Sequence, residues 1–233
     1  MQAVVLAGGL GTRLGRLTKE RPKSMLLIHG KPFLEYLITL LKTKGIVDFV
    51  LCTGYKHEII SGYFGDGIKF GVNIQYSVEK EPLGTGGALK NALPLLDENF
   101  LLLNGDTILF FDFDKFKKFH EEHNTCTMLT TLTNDNSRYG QVMTDNNSLV
   151  ISFREKNSKH DEFLINGGIY LIAKRSFSWE MLPKTFSIEN YLFPKLVDQK
   201  KLYSFVSRGY FCDIGIESDL IRFKNEVPEL NIL

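Results

Sequence analysis

The sequence predicts an α/β fold with a Rossmann-like, mostly parallel central sheet flanked by helices and a small β-rich portion in its second half. Short apolar runs that fit buried parallel strands recur at 2–7, 49–53 and 100–103. Segments with helical apolar spacing separate them, and glycine-rich turns follow the strand ends at 8–11 and 104–106. At 233 residues and 43% hydrophobic content, the chain is long enough to bury one substantial core. We expect one domain over 1–233, with residues 1–125 as a phosphate-loop half and 126–233 as a half that supplies an acceptor platform.

In chain order, the first strand is short, apolar and carries adjacent valines. Helical spacing follows over 33–41, with Pro32 suited to its first turn and Gly45 ending it. A buried strand at 49–53, a short helix near 58–63 and an alternating strand at 72–78 come next. A second glycine loop at 83–87 enters a helix that Pro94 helps to close. The strand at 100–103 then ends in Asn104-Gly105-Asp106. Beyond residue 125 the pattern changes. Strands at 142–144 and 149–153 flank Asp145-Asn146-Asn147, a hairpin signature. A strand at 163–172, a helix at 188–197, strands at 203–206 and 210–213 and a helix at 217–225 complete the chain.

Composition excludes several classes. Lys and Arg total 28 against 27 Asp and Glu, so the net charge of +1 gives no general pull toward nucleic acid or membrane, and neither is an expected partner. No apolar run approaches membrane-spanning length, and no signal segment opens the chain. Three widely spaced cysteines with no C-x-x-C pair argue against a disulfide framework or zinc cage and for a reducing, cytoplasmic setting. Cys212 reads as a core-strand residue. His120 and His123 are spaced i, i+3 rather than the i, i+4 of a helical zinc site, and read as a solvated helix end.

The segment at 8–14 carries the most chemistry. Gly8, Gly9 and Gly11 leave the backbone open to close approach by a ligand, and Arg13 adds a planar, charged fork suited to phosphate. The spacing matches neither G-x-x-x-x-G-K-[ST] nor G-x-G-x-x-G, so this is a polyphosphate loop of another kind. In an open α/β sheet, ligands sit beyond the carboxyl ends of the strands. The loop at 8–13, the turn at 84–86 and Asn104-Gly105-Asp106 should therefore gather along one edge. Asp106 and Asp213 each end a strand and suit Mg²⁺, which takes one or two carboxylates plus phosphate oxygens; each alone reads equally well as a turn residue. Lys23, ten residues past Arg13, and Lys156, at the end of the hairpin, would bring cations. Glu155, Asn166-Gly167 and Tyr139-Gly140 offer polar groups and open backbone to an acceptor.

The ordered strings L-A-G-G-L-G-T-R-L, P-K, E-P-L-G-T-G-G-A-L, N-G-D, R-Y-G, R-E-K, N-G-G and D-I-G span residues 6–215. Together they resemble the sugar-phosphate nucleotidyltransferase family. The resemblance implies a nucleotide-diphospho-sugar transferase fold and a reaction in which a sugar 1-phosphate attacks the α-phosphorus of an NTP and expels pyrophosphate. It implies that Leu6, Ala7, Gly8, Gly9, Gly11 and Thr12 hold the nucleotide, with Arg13 on the departing pyrophosphate and Lys23 at the α-phosphate. Gly84 and Thr85 would lie against the base, with Asn104 nearby. Asp106 and Asp213 would bind Mg²⁺, Lys156 the sugar phosphate, and Tyr139, Gly140, Glu155, Asn166 and Gly167 the sugar. The stretch at 30–37, with 166–168 and 210–215, is most similar to members acting on a heptose 1-phosphate, whose products feed surface glycans such as capsule and lipopolysaccharide.

The chain departs from the family pattern at Arg16, where a proline is common, and at Ser24 and Leu27 of Pro22-Lys23-Ser24-Met25-Leu26-Leu27. It ends at Leu233 without the β-helical extension of some relatives, so a single reaction is expected. Glu79, after the strand at 72–78, suits the N1–H and 2-amino donors of guanine, which favours GTP; it reads equally as a solvated strand end. Guanylyl transfer to mannose 1-phosphate, uridylyl or cytidylyl transfer, and a catalytically silent nucleotide-binding module stay open, as does a homo-oligomer.

Overall fold

In the computed structural model, strand β1 (Gln2–Leu6) runs through the middle of the sheet. Ala3, Val4 and Val5 are fully buried there, as a strand covered on both faces requires. Strand β2 (Asp48–Thr53) lies parallel on one side of β1, with β3 (Asn73–Val78) beyond it, and β4 (Asn99–Asn104) lies parallel on the other side. The structure describes all residues except 10, 136–138, 155–161, 231 and 233, and of Arg154 only the backbone.

The register of these strands builds the ligand edge. Leu6 stands opposite both Cys52 and Asn104, so β1, β2 and β4 end at one level. Ladder-like bonds continue just past the ends. Ala7 N–H donates to the Cys52 carbonyl at 2.8 Å, Gly105 N–H to that of Leu6 at 2.9 Å, and Glu79 N–H to that of Thr53 at 2.7 Å. The residues that follow each strand therefore emerge side by side, as expected for a parallel sheet.

The second half continues the same sheet. Strands β5 (Cys126–Thr133), β6 (Gln141–Thr144), β7 (Val150–Arg154), β8 (Phe163–Ala173) and β9 (Leu202–Ser207) complete nine strands. β8 pairs antiparallel with β4 on one side and β5 on the other, β9 runs parallel to β5, and the β6–β7 hairpin joins through Ile165 opposite Gln141. Pairing in β8 jumps from Asn166–Thr130 to Ile169–Leu129, which pushes Gly167 and Gly168 out as a bulge.

Helices α1 (Phe33–Lys42), α2 (His57–Phe64), α3 (Gly84–Ala92), α4 (Phe113–His123), α5 (Phe193–Asp198) and α6 (Glu217–Glu226) cover both faces. One core carries Phe33, Tyr36, Phe64, Phe116 and Phe223; the other carries Leu89 of α3 and Phe193 of α5 against Val4, Leu102 and Tyr170. Among the described residues, no helix is long and apolar enough to cross a membrane. Cys52, Cys126 and Cys212 are buried free thiols, and burial pushes them up to about 12, 12 and 11.

Three sequence expectations are corrected. The helix at 188–197 is a π turn (Ile188–Leu192) running into α5, because Pro194 has no N–H for a continuous helical ladder. β5 went unrecognised because its threonines interrupt the apolar pattern; Thr127, Thr130 and Thr131 are nevertheless buried, and Thr130 Oγ1 lies 2.7 Å from Ser204 Oγ of β9. His120 is no solvated residue. It is 2% exposed on the inner face of α4, with Nδ1 at 3.0 Å from Thr127 Oγ1.

Burial pushes the His120 pKa from 6.5 down to about 4. The unfolded chain takes up this proton as pH falls through about 6.5, whereas the folded chain does so only near 4. Stability is therefore lost as pH drops across that window. His120→Leu should show a smaller fall in urea midpoint between pH 7 and pH 4.5 than the wild type; equal falls in the two proteins would refute the assignment.

Candidate active site

The glycine loop closes directly over the ends of β1 and β2. A Cβ at Gly8 would come within 2.8 Å of Glu79 Oε1 and 3.2 Å of the Gly54 nitrogen, so a larger residue there would displace the Glu79 carboxylate and crowd the Gly54 backbone. Gly11 takes φ +62°, and a Cβ on it would press on Thr18 at 2.8 Å and on the Lys23 Cβ at 3.1 Å. The turn is closed by Thr18 Oγ1, which donates to the Gly11 carbonyl at 3.1 Å. Arg16, where the sequence departs from the family pattern, lies within the segment that this bond closes. A cavity of about 190 Å³ opens beneath the loop, lined by Leu6, Ala7, Gly9, Gly11, Thr12 and Arg13 on one side and by Lys23, Ser24, Gly105, Asp106 and Gly215 on the other.

Lys23 is the hub of that cavity. It opens a 3₁₀ turn (Lys23–Met25) after extended Pro22, and Met25 and Leu26 anchor the turn in the core. Its Nζ lies 2.5 Å from Asp106 Oδ2 and 3.6 Å from Asp213 Oδ1. The side chains are 11%, 32% and 19% exposed, respectively. Asp106 follows β4 through Gly105. Asp213 arrives from a distant segment: the strand Phe211–Asp213 pairs antiparallel with Thr107–Leu109, setting Asp213 opposite Thr107. Ile214 N–H donates to the Asp106 carbonyl at 3.0 Å, which locks the two aspartates together. The remaining oxygen of Asp106 accepts from Thr107 Oγ1 at 3.1 Å.

Glu79 stands beside the loop, half-buried. Its Oε2 accepts the Leu83 N–H at 2.9 Å while Oε1 leans toward Gly8. Burial raises its pKa, and the Leu83 bond opposes the rise. Gly84 is exposed at the start of α3, with φ +72°. The Thr85 hydroxyl is engaged within the protein: it donates to Glu189 Oε2 at 2.8 Å and accepts the Ile188 N–H at 2.8 Å. It therefore fastens α3 to the 187–189 turn, leaving only its backbone for the cleft.

The described residues expected on the acceptor side lie apart from this ion cluster. Tyr139 sits edge-on to Phe211 at 5.8 Å, and both line a second cavity of about 600 Å³ with Thr131, Thr133, Arg208 and Tyr210. Phe211 is two residues from Asp213 on the same short strand, so by alternation the two share one face of it. Gly140 precedes β6 and is exposed. Asn166 braces the β8 bulge: its Oδ1 accepts the Gly168 N–H at 2.9 Å, and its Nδ2 donates to Tyr170 Oη at 2.7 Å. Gly167 abuts Leu109 and the Leu129 carbonyl, and Gly168 lies against Asn104. Glu155 and Lys156 lie outside the described residues.

Sequence reasoning did not assign Ser24, Gly105 or Gly215 to the site, nor Phe211 and Arg208 to its flank. Gly105 and Gly215 were legible as the small neighbours of Asp106 and Asp213. Ser24 carried no signal beyond its departure from the family string.

Residues 2–229 match the family model described as nucleotidyl transferase. The chain is 43% identical over 232 residues to the D-glycero-alpha-D-manno-heptose 1-phosphate guanylyltransferase of Aneurinibacillus thermoaerophilus, covering 97% of this chain and 98% of that protein. It is 45% identical over 223 residues to the Campylobacter jejuni protein of the same name, covering 96% and 98%. Its fold matches the crystal structure of HddC from Yersinia pseudotuberculosis complexed with GMP-PN, with a TM-score of 0.85 at 33% identity over 97% of this chain and 99% of that one. With its glycine loop, Lys23 and aspartate pair in one cleft, the chain belongs to the nucleotidyl transferase family.

Proposed function

We propose that this protein transfers GMP from GTP to D-glycero-α-D-manno-heptose 1-phosphate, forming the GDP-heptose and releasing pyrophosphate. The observation that carries the reading is the convergence of Lys23, Asp106 and Asp213 under the glycine loop. Near-full-length likeness to proteins named for this reaction supports the choice of base and sugar. The buried free thiols suit a reducing compartment, in keeping with cytoplasmic substrates.

In the reaction, a phosphate oxygen of the acceptor bonds to the α-phosphorus while the α–β bridging P–O bond breaks, its electron pair leaving on pyrophosphate. Such transfers need alignment and charge stabilisation rather than a nucleophilic side chain. Backbone N–H groups of Gly8, Gly9, Gly11 and Thr12 receive the triphosphate, and Arg13, on the cavity wall, stabilises the departing pyrophosphate. Lys23 moves its ammonium onto the α-phosphate as charge builds there. Glu79 accepts from the guanine edge, with Gly84 and the Thr85 backbone flanking the base. Tyr139, Gly140, Asn166 and Gly167 border the sugar, and Lys156 takes its phosphate.

Asp106 and Asp213 fit Mg²⁺: both aim carboxylate oxygens at one cation already, and hard oxygen donors suit this ion. Among the described residues, no group of three or more His, Cys, Asp or Glu side chains is placed to hold a metal, so phosphate oxygens and water must complete the shell. When bound, Mg²⁺ would neutralise phosphate charge in the transition state.

A panel of four NTPs against heptose, mannose and glucose 1-phosphates, scored by pyrophosphate release, tests the reading. GTP with the heptose should give the highest kcat/KM. Turnover with CTP or UTP but not GTP, or with no pair at all, would overturn it. Asp106→Asn and Lys23→Ala should each lower kcat by about 10²–10³-fold with the circular dichroism spectrum retained. Glu79→Gln should cost GTP about 10–100-fold in kcat/KM, the scale of one or two bonds to a charged acceptor, and change ATP use far less. Equal losses for both nucleotides would remove Glu79 from base selection.

A further inference from the structure

Lys23 does more than wait for a phosphate. Its ammonium holds the place between Asp106 and Asp213 that a shared divalent ion would need. Both oxygens of Asp106 are already engaged, Oδ2 by Lys23 and Oδ1 by the Thr107 hydroxyl, so a second cation there would have to share Oδ2 with the ammonium or compete for it. Asp213 turns Oδ1 to the same ammonium. A dication using these oxygens would stand a few ångströms from a charged group in a poorly solvated pocket, where repulsion is strong. Lys23 is also held from behind. Its Cβ lies against Gly11, and its side chain is only 11% exposed, so the ammonium sits in the cavity rather than in open solvent. A phosphate in the cavity it shares with Gly9, Gly11 and Arg13 would offer it another anion.

We infer that Lys23 is an internal counter-ion that competes with Mg²⁺ for the Asp106–Asp213 pair and yields it only when a nucleotide polyphosphate enters. The inference rests on the proposed reading of these aspartates as metal ligands and adds how the metal is admitted. Polyphosphate draws the ammonium off the carboxylates, and the freed carboxylates then accept the dication that the polyphosphate carries. Metal and nucleotide thus raise each other's affinity, as linkage requires. The carboxylate pair is never left without a cation, and the protein does not load metal alone.

The test is Mn²⁺ binding to the full chain without nucleotide, reading free Mn²⁺ by electron paramagnetic resonance. Lys23→Met should bind Mn²⁺ about tenfold or more tighter than wild type, the change expected when a competing charge is removed. Lys23→Arg, which keeps the charge, should stay as weak as wild type, and Lys23→Met/Asp106→Asn should lose the gain. Mg²⁺ alone should raise the melting temperature of Lys23→Met and leave that of wild type unmoved. A folded Lys23→Met that binds Mn²⁺ no better than wild type overturns the competition. So does a wild-type protein that Mg²⁺ alone stabilises, a result that stands even if the variant fails to fold. Retention of the gain in the double variant would remove Asp106 as a ligand and the inference with it. GTP turnover by wild type that is lost in Asp106→Asn, alongside unchanged Mn²⁺ affinity in Lys23→Met, would reject the competition and leave the proposed reaction standing.

Discussion

An ammonium largely withdrawn from water must be paired or it destabilises the fold, and this requirement organises the cleft. Lys23 comes from the turn after the glycine loop, Asp106 from the end of β4 and Asp213 from a strand more than a hundred residues later. Each carboxylate is in turn fixed by backbone: Gly105 N–H binds the Leu6 carbonyl, and Ile214 N–H binds that of Asp106. The ion trio therefore reports the correct assembly of the whole sheet edge. Removing one partner of such a buried set typically costs about 3–5 kcal/mol. Arg13 on the cavity wall brings a second cation, so Arg13 and Lys23 together match the two charges of Asp106 and Asp213.

Legibility in the sequence followed burial. The parallel strands β1, β2 and β4 are covered on both faces, so they must be continuous apolar runs, and such runs are visible without coordinates. β5 is equally buried but satisfies its threonine hydroxyls internally, as the Thr130–Ser204 contact shows, and a polarity pattern cannot reveal that solution. His120 misled for the same reason: its neighbours Glu121 and Glu122 are outward, while the ring itself turns inward onto Thr127. In the site, glycines and aspartates at strand ends were legible because strand ends converge by geometry. The direction of Thr85 was not, because it depends on Glu189 and Ile188, more than a hundred residues away.

The join between the two halves explains how one rigid sheet can host two phosphorylated substrates. β8 is hydrogen-bonded to β4 over Ile169–Ala173, and its bulge falls where β4 ends. Gly168 thus lies against Asn104, and Gly167 beneath Leu109, the strand that carries the partner of Asp213. The β8 bulge is registered to the glycine-loop edge of the sheet by main-chain ladders rather than by a hinge. Displacement at phosphorus demands a narrow range of approach angles, and a ladder fixes such geometry better than loose side-chain contact. On the proposed reading the two flanks do the selecting: the 79–85 segment, held by the Glu79–Leu83 bond, would face the base, and Tyr139 with Phe211 would border the acceptor. Chemistry in the centre and selection at the two ends are separable because different segments of chain carry them. A change of substrate can therefore arise at either flank without disturbing the charges that drive the transfer.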